Sequence, residues 1–132
     1  MEWTVYNELN SCLPDDELSS MSVDEKGNIL VGTISGGVVK ISDDEWVIYS
    51  TSNVGLPYNE AGYFTFDKFG NTWMESWGGG LSKFDGIRWT IYDTTNSDVS
   101  NNTIGPANME SDKDIWFVTH GGGLARFRKA GK

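Results

Sequence analysis

The chain has one cysteine, Cys12, and one histidine, His120, and that scarcity sets the first limits. A lone thiol excludes an intramolecular disulfide and a thiolate metal cluster within one chain, and it leaves the redox compartment undecided. A lone histidine leaves little from which to build a Ser-His-Asp set or a Cys-His pair, and no stretch has the nucleophile-elbow pattern. We therefore expect no catalytic residues, no metal site and no cofactor. Cations are also scarce. Ten Lys and Arg stand against nineteen Asp and Glu, a net charge of −9 with an isoelectric point near 4.4. Such a surface repels phosphate backbones and anionic headgroups, so neither nucleic acid nor a membrane is an expected partner. No run of about eighteen apolar residues is present, which excludes a membrane-spanning helix. The opening Met1-Glu2-Trp3-Thr4 lacks the basic and apolar stretches of a secretory signal. As given, the chain reads as cytoplasmic, or as periplasmic if it is excised from a longer sensor.

Glycine and aromatic residues are abundant: 16 Gly, 6 Trp, 5 Tyr and 6 Phe among 132 residues. That mixture suits short strands joined by tight turns, so the expected class is all-β in a single domain. A fixed repeat then overrides local propensity arguments. Trp3, Trp46 and Trp89 recur every 43 residues, as do Tyr6, Tyr49 and Tyr92, and Gly37, Gly80 and Gly123. Thr33/Ser76/Thr119, Val38/Leu81/Leu124 and Ile41/Phe84/Phe127 keep the same register without a gap. Units 1–43, 44–86 and 87–129 tile the chain.

Each unit carries four strand signals. In the middle unit an outer strand at Trp46–Tyr49 alternates its faces and is followed by the turn-rich loop 50–57. An inner strand near Gly62–Phe66 leads into the turn 67–71, where Asp67 can cap through its side chain and Gly70 can take a positive φ. Thr72–Ser76 and Leu81–Phe84 follow, separated by the tight connection 77–80. Four antiparallel strands per 43 residues is the measure of one propeller blade.

The segments 24–37, 67–80 and 115–124 are similar to the two-component-regulator propeller repeat, and the similarity runs over nearly the whole chain. The resemblance implies a β-propeller. In that family such propellers are commonly the periplasmic sensor regions of bacterial hybrid histidine kinases that respond to glycan fragments, so a sensor-type role is what it implies for function. One departure stands out: Lys113 occupies the place of Gly27 and Gly70, so the third hairpin must turn differently or bear strain.

Three blades are too few for a comfortable ring, since propellers close with four to eight. The chain begins with a lone outer strand, Trp3–Tyr6, and its last unit has only three strand signals, ending at Phe127. The expected solution is a head-to-tail homo-oligomer in which the Trp3–Tyr6 strand completes the last blade of a neighbouring copy. Trp3, Val5, Tyr6, Leu124 and Phe127 are the assembly residues in this reading. Two copies give six blades and three copies give nine. The competing reading is a piece of a longer propeller.

For ligand binding, the loops entering the inner strands and the connections between second and third strands should share one face. There the sequence offers Asp15 and Asp16, Tyr58 and Asn59, Asn101 and Asn102 beside Ser100, and Trp77 and His120 just before the glycines. Aromatic planes beside Asn and Asp could receive a sugar, the glycan-like ligand of this reading. Against it stands the plainer account that these residues simply build turns and pack blades. The glycine triplets 78–80 and 121–123 lack the Lys-Ser/Thr and helix of a phosphate loop, and the acidic runs 15–17 and 43–45 lack calcium-loop spacing. Trp73 and Trp116 are expected in the core between blades. Glu75 takes the place of Gly32 and Val118 in a strand expected to be buried on both faces, so it must either pair with a base such as Lys83 or point into a polar site.

Overall fold

The computed structural model describes residues 1–76, 78–99, 101–109 and 114–128. Every regular element among them is a strand. The first sheet runs β1 (Leu18–Val23), β2 (Ile29–Thr33), β3 (Val38–Ser42) and β4 (Glu45–Tyr49), in that spatial order. The second repeats the arrangement with β5 (Phe64–Phe66), β6 (Thr72–Ser76), β7 (Gly80–Phe84) and β8 (Trp89–Tyr92). The third holds β9 (Ile104–Met109), β10 (Asp114–Thr119) and β11 (Leu124–Arg128), so that β11 is an open edge. All pairings are antiparallel between consecutive strands, the meander that two-residue and short turns allow. No helix is long and apolar enough to cross a membrane among the described residues.

Local chemistry explains the turns. In the β5–β6 turn Asp67 Oδ1 accepts the Phe69 and Asn71 amides at 2.9 Å, while Gly70 sits at φ +84°. Asp24 and Gly27 repeat this between β1 and β2, where the Asp24 carboxylate accepts the Lys26 and Asn28 amides. Asp67 Oδ2 also accepts Trp73 Nε1 at 3.0 Å, tying the turn to the core. Burial opposes ionisation of Asp67, but the Trp73 and Asn71 donors outweigh it and hold the carboxyl below its ordinary range. The third hairpin, with Lys113, lies outside the described residues.

Three apolar layers follow the sheets. Leu30 and Val38 of the first sheet pack on Met74 of the second, with Leu56 and Ala61 between them. Trp73 and Leu81 of the second pack on Ile115 and Phe117 of the third, with Ile104 completing the layer. Trp73 therefore lies where it was expected, stacked on Tyr92 and tilted against Phe127 at centroid distances of 6.0 and 5.0 Å. The repeat-equivalent Trp116 lies on the outer face of the third sheet, half-buried beneath Arg126, and among the described residues no further sheet lies against that face.

The third layer, Leu13 with Val31 and Val39, covers the free face of the first sheet and is closed by the N-terminal segment. Residues 1–7 pair with no strand among the described residues, and Trp3 is 87 % exposed. Their placement is nevertheless that of an outer strand. Tyr6 meets Trp46 edge-on at 5.4 Å and 62°, matching Tyr49 on Trp89 at 5.6 Å and 63°.

Candidate functional site

The loops entering the inner strands lie against the glycine turns, and most of the polar side chains offered there are occupied. Asp16, Asn59 and Asn102 are the same position of the repeat, and each side chain holds its own loop. Asp16 Oδ1 accepts the Glu8 amide at 2.7 Å, Asn59 Oδ1 the Thr51 amide at 2.9 Å, and Asn102 Oδ1 the Thr94 amide at 2.8 Å. The backbone carbonyls of Asn59 and Asn102 accept Gly37 and Gly80 amides from the preceding sheet, both at 2.8 Å. These residues fasten one unit to the next.

Asp15 is likewise committed. Its Oδ2 accepts both the amide and the hydroxyl of Ser35 at 2.8 Å, and its Oδ1 accepts the Glu17 amide at 2.9 Å. Those donors, the Glu17 amide foremost and Ser35 next, hold its carboxyl below the ordinary range. Asn101 accepts the Thr103 amide at 2.8 Å. The His120 amide donates to the Thr103 carbonyl at 2.9 Å, so this turn is pinned at its backbone. Tyr58 is the outward-facing member of the set, half exposed and lying over Gly78. Trp77 and Ser100 lie outside the described residues. Of the acidic run 43–45, Asp43 and Asp44 make the β3–β4 turn, with Asp43 at φ +52°, and Glu45 opens β4.

Glu75 departs from one of its two expectations. It does not reach Lys83, which stands opposite Trp73 on the same face and lays its ammonium 5.7 Å over the Trp73 ring instead, while Glu75 turns to backbone amides. The carboxylate turns inward, 2 % exposed, and bridges two inner strands: Oε2 accepts the Tyr63 amide at 2.9 Å and Oε1 the Ala107 amide at 2.8 Å. Burial pushes its pKa up to about 7, against the pull of the Ala107 and Tyr63 donors. β5 is shorter than the Gly62–Phe66 strand expected because Gly62 and Tyr63 both oppose Glu75 in a bulge, Tyr63 accepting the Glu75 amide, at the position where the first and third sheets also shift register. The Gly62 amide goes to the Glu75 carbonyl, and Tyr63 is drawn to the carboxylate.

The neighbouring seam uses other chemistry. Where Glu75 stands, the first sheet has Gly32, because a Cβ there would crowd the Ser19 and Ser20 hydroxyls. Those hydroxyls donate to the Ala61 and Gly62 carbonyls at 2.7 and 2.6 Å, joining first and second inner strands. On the opposite rim, between the turns of Asp24 and Asp67, lies a cleft of about 110 Å³ reaching Lys40, Phe66 and Phe84. Of the four carboxylates lining it, Asp24, Asp67 and Asp85 are already engaged by the amides of their own turns, and Glu25 is the fourth.

No protein-family model matches the sequence, and no curated protein matches it. Solved structures do. The chain is similar to the extracellular domain of a hybrid two component system, BT3049 of B. thetaiotaomicron, with a TM-score of 0.77 and 22 % identity over 98 % of this chain and 17 % of that one. It is similar to the extracellular domain of BT4673 from the same organism, with a TM-score of 0.69 and 20 % identity over 83 % of this chain and 16 % of that one. It is also similar to PorZ, a surface component of the type-IX secretion system of Porphyromonas gingivalis, with a TM-score of 0.69 and 16 % identity over 92 % and 19 %. At these identities the likeness is one of fold: a propeller-type arrangement of antiparallel sheets. The chain spans less than a fifth of each of these three proteins.

Proposed function

We propose that this chain is a non-enzymatic arc of three propeller blades whose work is assembly, the completion of a ring with further blades. The observation that carries this reading is the contrast along one repeat position. Val38 is 0 % and Leu81 1 % exposed, whereas Leu124 is 66 % exposed on the edge strand β11. Burying such a side chain contributes about 1.5–3 kcal/mol, which the third blade forgoes in a single chain. The loop face favours the same reading, since Asp15, Asp16, Asn59, Asn101 and Asn102 all serve their own loops. Absolute mass by light scattering across a range of concentrations tests it. A constant mass of two or three chain masses, for six or nine blades, supports assembly; a monomer at all concentrations overturns it.

A second reading is reception of a small glycan-like ligand on the loop face. It is supported by the half-exposed Tyr58 ring beside the glycine turn and by fold neighbours that are extracellular domains of hybrid two component systems. Binding on a glycan array that is lost in Tyr58→Ala, with the assembly mass unchanged, is its expected result. An array without a hit for the unaltered protein rejects it.

A further inference from the structure

Resting on the assembly reading, we infer that the occupant of the open β11 edge is the Trp3–Tyr6 segment of a second copy of this chain, in one register that the first two blades already display. In those blades the third and fourth strands pair Val38 with Tyr49, Val39 with Ile48 and Ile41 with Trp46, and equally Leu81 with Tyr92, Ser82 with Ile91 and Phe84 with Trp89. One repeat further on, β11 supplies Leu124, Ala125 and Phe127, and the residues that complete the pattern are Tyr6, Val5 and Trp3. The same register sets Glu2 opposite Arg128, since Glu45 pairs with Ser42 in the first blade. Arg128 already holds Asp114 through two bonds of 2.8 and 2.9 Å, so Glu2 would join an existing pair and adds little to the choice of register.

Gly123 carries the mark of the absent strand. A Cβ on Gly37 or Gly80 would strike the carbonyl oxygen of Tyr49 or Tyr92, the last residue of the adjoining fourth strand. Gly123 has the same backbone, φ +86°, yet nothing described lies within 4 Å of its Cβ position. In the inferred register the Tyr6 carbonyl of the second copy fills that space. The continuation of the donated segment fits as well. Gly37 and Gly80 donate their amides to the Asn59 and Asn102 carbonyls of the following blade, and the corresponding pair across the junction is Gly123 with Asp16 of the second copy. At the donor end, Tyr6 and Leu13 already lie on their own first blade as Tyr49 and Leu56 lie on the second. Only the partner edge is missing.

The test uses the 132-residue chain with Cys12→Ser, mixed as two single-cysteine populations under oxidised glutathione. Val5→Cys with Ala125→Cys is the in-register pair; Val5→Cys with Arg126→Cys places the thiols on opposite faces. Preferential covalent linkage of the first mixture supports the inference. Leu124→Asp, checked for retained strand content by circular dichroism, should weaken self-association by about 100-fold or more, because it buries an unpaired charge at the junction. Assembly mass with no in-register linkage, or with Leu124→Asp assembling normally, overturns the register while leaving assembly standing. A monomer at every concentration overturns both.

Discussion

The Glu75 carboxylate and the Ala107 amide meet at 2.8 Å across the seam between the second and third blades, and the burial of that carboxylate makes the seam sensitive to pH. Burial raises the folded-state pKa of Glu75 to about 7, so the folded chain holds that proton more tightly than the unfolded chain does. The resulting stability is complete below the ordinary glutamate range and is lost as pH rises through about 7. Urea unfolding followed by tryptophan fluorescence should show stability falling by at most about 3 kcal/mol between pH 4.5 and 8 from this group. Glu75→Gln should flatten that segment of the profile. It should also be less stable than the unaltered protein at pH 5, because its NH2 faces an amide donor. A profile unchanged by Glu75→Gln rejects the assignment.

Asn59 and Asn102 give a second, independent check. Each accepts one loop amide, so Asn59→Ala and Asn102→Ala should each cost about 1 kcal/mol. The loops lie in different repeats and share no partner, so the double variant should cost the sum to within about 0.5 kcal/mol. Urea midpoints measure this directly. Were these side chains free to meet a ligand instead, truncation would leave stability unchanged.

These loops also show what could be read from the sequence and what could not. Strand positions, the Asp-Gly turns and the buried place of Trp73 followed from a 43-residue period and the alternation of apolar faces. The loop asparagines were legible in principle. Asp16, Asn59 and Asn102 share one period, as do the Glu8, Thr51 and Thr94 amides they hold, and a polar position repeated in every unit points to a shared structural duty. Glu75 was only half legible. Its burial followed from the strand, but its partners are backbone amides, one of them 32 residues away, and backbone groups carry no residue signature.

Trp73→Phe isolates the indole bond to Asp67. The ring volume is largely kept while Oδ2 loses its 3.0 Å donor, so the expected cost is about 1–3 kcal/mol in urea unfolding. Because Asp67 is held below its ordinary range in the folded state, its contribution is present above that range and lost as pH falls through the folded value. Loss of the Trp73 donor should therefore also shrink the acid-side slope of stability. A variant with the full slope intact would mean that Asn71 and the turn amides alone set the charge.

Gly123→Ala separates the lone chain from the assembled one. Gly27 sits at φ +84° with open space around it, so alanine there bears only backbone strain, about 1 kcal/mol. Gly37→Ala adds a collision with the Tyr49 carbonyl, which a fourth strand in place cannot easily relieve, and should cost clearly more. Below the assembly concentration Gly123→Ala should behave like Gly27→Ala in urea unfolding. Above it, if a Tyr6 carbonyl fills the space beside Gly123, the variant should behave like Gly37→Ala or fail to assemble, as read by mass in light scattering. Equal behaviour at both concentrations would mean that no strand closes over Gly123.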